Sequence, residues 1–128
     1  MSRPKGVRRT CDAHQARQRL VDARQFIEAA ELLDAPDVVA TNAVHAAIAA
    51  SAAITCYALA QRSGDGNHAA AVDLLREVDP TLATTLKRAL DRKTQAAYES
   101  TDLSQTDAAN CVKWAKQLLA AAESRLES

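Results

Sequence analysis

The chain has 128 residues, 48% of them hydrophobic, which at about 150 residues per domain makes one domain with enough material for a core. Alanine alone fills 29 positions, against three glycines, three prolines and 3% aromatic residues. A sandwich or barrel would lack its turn formers and its β-branched and aromatic filling, so an all-α bundle is predicted, while 16 Lys and Arg against 16 Asp and Glu exclude a nucleic-acid binder that relies on net charge alone.

Residues 1–10 read as a disordered basic arm: Pro4 and Gly6 oppose helix, and Arg3, Lys5, Arg8 and Arg9 have no acidic neighbours. Such an arm suits a solvated tail or a phosphate contact. No apolar segment with a small-residue cleavage site follows it, so no secretory signal is expected. From Asp12, residues Ala13, Ala16, Leu20, Ala23, Ile27 and Ala30 recur at spacings of three and four, which predicts an amphipathic first helix ending near Asp34, before Pro36. A second helix runs from there to about Arg62. Its 23 residues from Val38 to Ala60 contain no Asp, Glu, Lys or Arg, a length that would cross a bilayer. Asn42, His45, Ser51, Thr55 and the predominance of alanine argue instead for the central helix of a soluble bundle, with no membrane partner.

Ser63-Gly64-Asp65-Gly66-Asn67 is the strongest break in the chain, with Asn67 suited to cap the helix that follows. That short third helix carries Val72, Leu75 and Val78 and stops at Asp79-Pro80. Leu82, Leu86, Leu90 and Ala97 mark a fourth helix to about Ser100. Ser104 with Asp107 resembles a capping box, and Cys111, Ala115, Leu118, Ala122 and Leu126 give the fifth helix its buried stripe. Residues 11–128 therefore form a single four- to five-helix domain.

Several chemistries need spacings that this chain lacks. There is no Gly-rich P-loop, no H-E-x-x-H and no Glu-x-x-His pair, and Asp65-Gly66-Asn67 has no acidic ligands before it or Glu after it to make a calcium loop. Cys11 and His14 share a helical face, but two ligands do not make a zinc site; neither a metal nor a cofactor is expected. Cys11, Cys56 and Cys111 are odd in number and contain no C-x-x-C pair, so they read as reduced thiols in a cytoplasmic protein. His45 has nothing acidic within two turns and reads as a hydrogen-bonded core or interface histidine. Tyr98 and Trp114 read as packing.

The informative pair is Arg62 and His68 across the Gly-bearing turn. A fixed cation and an imidazole that exchanges protons near neutral pH are what metal-independent phosphodiester chemistry needs: Arg neutralises the phosphorane oxygens while His moves the proton. The bland alternative is an Arg at a helix C-terminus and a His that caps or packs.

Three stretches resemble the HEPN superfamily of small helical domains. The run Asn42-Ala43-Val44-His45-Ala46-Ala47-Ile48 through Ala60 is similar to that family's long central helix, leading into a glycine-bearing turn closed by His68. Arg62 and His68 satisfy its loose pattern of Arg, four to six residues, His. Lys93-Thr94-Gln95-Ala96-Ala97-Tyr98 resembles the compact-type motif Arg-x-x-Ala-Asp-Tyr, with Lys93 and Ala97 departing from it, and a last helix begins near Asp107-Ala108. Ser63 supplies the polar residue that follows the Arg in ribonuclease-type members, whereas Ala70 stands where a Tyr is frequent. The resemblance implies an up-and-down bundle that pairs through its long helices as a homodimer. Independently, an apolar helix of about 25 residues spans about 37 Å, more than this core needs, so part of it is expected to meet a second subunit.

The function so implied is binding of RNA or a nucleotide phosphate, in a toxin–antitoxin, defence or stress setting and with a nucleotidyltransferase-type protein as a candidate partner. Arg62 and His68 are the candidate catalytic pair; Ser63, Asn67, Arg88, Arg92 and Lys93 are the candidate nucleic-acid contacts, with Lys87 in the same basic stretch. Two alternatives stay open: a non-catalytic structural or dimerisation partner, and a metal-independent endoribonuclease using Arg62 and His68.

Overall fold

Asp12 starts the first helix. Its side chain accepts the Gln15 backbone N–H at 2.8 Å while the Gln15 side chain accepts the Asp12 N–H at 2.9 Å, a reciprocal capping box. The computed structural model describes residues 7–64, 66–98 and 102–127, with the side chains of residues 97 and 98 set aside. In chain order it comprises β1 (Arg8–Thr10), α1 (Ala13–Leu32), α2 (Pro36–Leu59), β2 (Gln61–Ser63), α3 (His68–Arg76), α4 (Pro80–Tyr98) and α5 (Gln105–Glu127). Five helices dominate, as composition predicts, and one two-stranded antiparallel ribbon of β1 and β2 is added to them.

Helix α2 is the centre of the bundle. Pro36 opens it with a φ that suits the first turn, and α1 and α5 pack along it, while α4 lies against α5 and α3. Ala40, Ala43, Ala46, Ala47, Ala49, Ala50 and Ala53 are all buried to 1% exposure or less, so the neighbouring backbones approach closely. The neighbours supply the volume: Leu20 and Ile27 from α1, Leu74 and Leu75 from α3, Leu86 from α4, and Leu118 from α5. Two thirds of the apolar stretch of α2 is buried inside the protein, which accounts for a composition that would also suit a membrane. Its buried hydroxyls are satisfied by the helix itself, Ser51 donating to the Ala47 carbonyl at 2.8 Å and Thr55 to the Ala52 carbonyl at 3.3 Å.

Of the predicted stripes, Ala16, Leu20, Ala23, Ile27 and Ala30 of α1 and Cys111, Ala115, Leu118 and Ala122 of α5 are buried, whereas Ala13 in the first turn of α1 is exposed and Leu126 near the end of α5 is only partly buried. The Ser104–Asp107 capping box forms, with Asp107 N–H donating to Ser104 Oγ at 3.0 Å and Ser104 N–H to Asp107 Oδ2 at 3.2 Å. Trp114 is partly buried against the core. Tyr98 closes α4, but its side chain, like Asp65, Ser100 and the Arg3–Lys5 portion of the arm, lies outside the described residues.

Three expectations need correction. Helix α2 stops at Leu59, three residues before Arg62, because Ala60 takes a left-handed conformation (φ 56°) and the chain leaves as strand β2. That conformation costs a non-glycine residue roughly 1–2 kcal/mol. The basic arm is not disordered throughout: Arg8, Arg9 and Thr10 pair with Ser63, Arg62 and Gln61. Finally, Cys11 and Cys56 are not free thiols but form a disulfide, with Cα atoms 5.5 Å apart; Cys111 alone is free. Sequence spacing hid this pair because only the return of the β1 strand across the end of α2 brings the two cysteines together.

The alanine seam has a measurable consequence. Ala50→Leu, which forces three further carbon atoms into a fully buried contact, is expected to lower stability by about 1–3 kcal/mol or more in chemical denaturation, with helical content retained.

Candidate functional site

The break between β2 and α3 borders a cleft. Gly66 takes a positive φ of 73°, and Asn67 then caps α3 by accepting the Ala70 N–H at 3.1 Å, as its position predicts. This leaves the first-turn N–H groups of His68 and Ala69 without an intrahelical partner, at the positive end of the helix dipole. Between that turn and α4 lies a cavity of about 450 Å³, within the range of small-molecule sites. Val72 and Leu90 line it as apolar residues, and His68, Arg76, Lys87 and Thr94 bring polar groups to it. Arg76 is paired with Asp73 at 2.6 Å and Lys87 with Asp91 at 2.5 Å, all four residues bordering the cavity. These are exposed pairs one helical turn apart, worth a few tenths of a kcal/mol each, so an incoming anion can displace either carboxylate cheaply.

Arg62 and His68 do not meet there. His68 is exposed on the α3–α4 cavity, whereas Arg62 lines a separate crevice of about 60 Å³ with Arg19, Ile48, Ser51, Thr55, Ser63 and Leu74. A water molecule takes about 30 Å³ of liquid, so this crevice holds a few waters and no nucleotide. Arg62 Nη1 donates to the Ser63 carbonyl at 3.5 Å, and the Ser63 hydroxyl oxygen is buried with no hydrogen-bond partner among the described residues. Asn67 borders the cavity, though its side-chain oxygen serves the cap.

The basic residues of α4 point three ways. At about 100° per residue, Lys87 shares the cleft-facing side with Leu90, Asp91 and Thr94, whereas Arg88 and Arg92 lie on a second side and Lys93 on a third. Arg92 approaches Asp107 of α5 at 3.9 Å. Arg88 is exposed and has no ion pair among the described residues. The predicted strip therefore contributes one cation, Lys87, to the cleft. Arg76 was missed by sequence reasoning, and its only signal was its place two turns after His68 on the same short helix.

Other titratable candidates have structural roles. His45 is exposed, and instead of the expected hydrogen bond its ring stacks on Phe26, with centroids 5.2 Å apart and an interplanar angle of 26°. Burial, reinforced by Asp107, pushes the Cys111 thiol above its ordinary value, against the smaller opposing effects of Arg92 and Lys93. Among the described residues no three His, Cys, Asp or Glu side chains converge on a metal-sized site.

Comparison with known proteins gives no family model, characterised protein or solved structure that matches the chain.

The cysteine arrangement is directly testable. Native, unreduced protein is expected to take up no iodoacetamide at neutral pH, since Cys111 is fully buried and the other two cysteines are bonded. Unfolding without reductant should then admit one label per chain and unfolding with reductant three, read by intact mass.

Proposed function

We propose that the chain is an HEPN-like helical module that binds a nucleotide phosphate, free or within single-stranded RNA, in the cleft between α3 and α4, and that it does so without cleaving its ligand. The observation that carries this reading is the coincidence of a cavity of about 450 Å³ with the N-terminal turn of α3 and with His68, Arg76 and Lys87 around it. A phosphate is accommodated at the helix N-terminus, where two N–H groups and the dipole favour negative charge, while Val72 and Leu90 offer an apolar surface to a base or sugar. Binding without turnover is supported by Arg62 and His68 lining different cavities within one chain, since general acid–base work on a phosphodiester needs the cation and the imidazole on one phosphate. The cytoplasmic address read from the sequence is retained in this proposal with one condition. Cytosolic disulfides are usually transient or redox-sensing, so the Cys11–Cys56 bond would have to be of that kind.

Fluorescence anisotropy with short single-stranded RNA at low salt tests the reading. Saturable binding is expected, competed by nucleoside monophosphate, weakened severalfold by Lys87→Ala and abolished by Ala69→Trp, which fills the cleft from an exposed position. The RNA should be recovered intact in EDTA. No binding at high micromolar protein overturns the proposal; cleavage that disappears in His68→Ala establishes the endoribonuclease alternative in its place.

The homodimer is supported by a separate observation. Val38 and His45 are exposed on α2 and Ile48 is half-buried beside them, recurring at helical spacing, and α1 brings Phe26 to the same side through the Phe26–His45 stack. A second copy of the chain is the occupant proposed for this face, with a heterologous protein partner as the alternative occupant. Sedimentation equilibrium should find a dimer, and Val38→Glu combined with His45→Glu should convert it to monomer without loss of helicity.

A further inference from the structure

The β-ribbon places two like charges face to face. Bonds from Gly64 N–H to the Val7 carbonyl at 2.9 Å and from Cys11 N–H to the Ala60 carbonyl at 3.0 Å bracket the pairing of Arg9 with Arg62. Hydrogen-bonded and non-hydrogen-bonded pairs alternate in an antiparallel ladder, so Arg9 and Arg62 form a hydrogen-bonded pair, with Cα atoms about 5.5 Å apart and side chains leaving on one face. Like charges directly opposite one another weaken strand pairing. Among the described residues, which do not include Asp65, no carboxylate lies within ion-pair distance of Arg9 or Arg62, although the neighbouring Arg8 and Arg19 pair with Glu77 and Asp22.

Both guanidiniums are oriented by the backbone. Arg9 Nε donates to the Gly64 carbonyl and Arg62 Nη1 to the Ser63 carbonyl, each at 3.5 Å. Each guanidinium has five N–H donors, so most remain for a ligand. Gly64 makes room for the first of them: a Cβ at that position would lie 2.5 Å from Arg9 Cγ and 2.6 Å from Nε. What keeps Arg9 opposite Arg62 despite their repulsion is the Cys11–Cys56 disulfide, which ties β1 to the end of α2 two residues after Arg9.

We propose that Arg9 and Arg62 form a phosphate clamp on the β-ribbon, assembled by the Cys11–Cys56 disulfide. Its ligand is a phosphate group with at least two anionic oxygens free, as in a phosphomonoester or phosphoanhydride, since two planar cations on one face match two oxygens bidentately. The clamp is distinct from the α3–α4 cleft and rests on no part of the reading given to it. Reduction takes it apart: a dithiol transfers two electrons and two protons, the S–S bond breaks, S–H bonds form on Cys11 and Cys56, and the dithiol closes to its own disulfide.

Calorimetric titration of the full chain with inorganic pyrophosphate tests the clamp. The oxidised protein is expected to bind, Arg9→Gln and Gly64→Ala to weaken binding about tenfold or more, and Arg88→Gln on α4 to leave it unchanged. Prior treatment with dithiothreitol should weaken it comparably while circular dichroism stays helical. Ala69→Trp, which fills the α3–α4 cleft, should not affect pyrophosphate at the ribbon, so the two sites fail separately. Single-stranded RNA lacking terminal phosphates offers only phosphodiesters and should not compete; competition that is lost in Arg9→Gln overturns the assignment to a monoester or anhydride. The proposal is overturned if oxidised protein binds no pyrophosphate at millimolar concentration, or if Arg9→Gln binds as the parent does. Because Arg9 is exposed, that variant folds whatever reduction does to stability.

Discussion

Seven fully buried alanines along α2 set the geometry of everything else. A methyl group lets neighbouring helix axes approach closely, so two long partners, α1 and α5, pack along a third. The same choice limits how much each α2 position contributes, since burial stabilises by about 0.8 kcal/mol per CH₂ group. Stability therefore depends on the larger side chains that reach α2 from outside, Leu20, Ile27, Leu75, Leu86 and Leu118. This division of labour explains how an apolar helix of 24 residues belongs to the interior of a small protein.

The C-terminal end of α2 is where that order is deliberately broken. Ala60 takes a left-handed conformation, Arg62 faces Arg9, and a three-residue strand is far below the length that is stable alone. Each of these features is unfavourable in isolation. The disulfide offsets them: closing a sequence separation of 45 residues removes about 4 kcal/mol of unfolded-state entropy in the chain-entropy account. Cys11, Ala16 and Cys56 form a small buried cluster of their own with Leu126 packed against it, so the clasp is anchored in α1, α2 and α5 together. The Arg8–Glu77 ion pair adds a weaker tie to the end of α3.

Much of this was legible in the sequence because helical periodicity and capping chemistry are local. The stripes of α1 and α5, Asn67 as a cap, and the Ser104–Asp107 box all appear where the residues place them. The ribbon was not legible. Arg8, Arg9 and Thr10 are separated from Gln61, Arg62 and Ser63 by more than fifty residues, and neither run shows the alternation that marks a half-buried strand. Once the ribbon is missed, Cys11 and Cys56 have no reason to meet, and Arg62 reads as the last turn of a helix. Composition also obscured His45, whose apolar neighbours in sequence suggested burial although its own side of α2 is open.

The same ribbon decides what the Arg62 and His68 spacing means. On a continuous helix, residues six apart are separated by about 240° around the axis, and only an intervening turn can bring their side chains to one point. Here the intervening chain is a strand that follows Arg62 with Ser63, the close approach of Gly64 to Arg9, a positive-φ turn at Gly66 and a new helix starting at His68. Arg62 is thereby bound to the geometry of β1 and the α2 terminus, and His68 to that of α3 and α4. A cation held by a strand register and an imidazole held by a helix cap respond to different parts of the fold. The two proposed ligand sites thus rest on different local features, the strand register for one and the Gly66 turn with the Asn67 cap for the other.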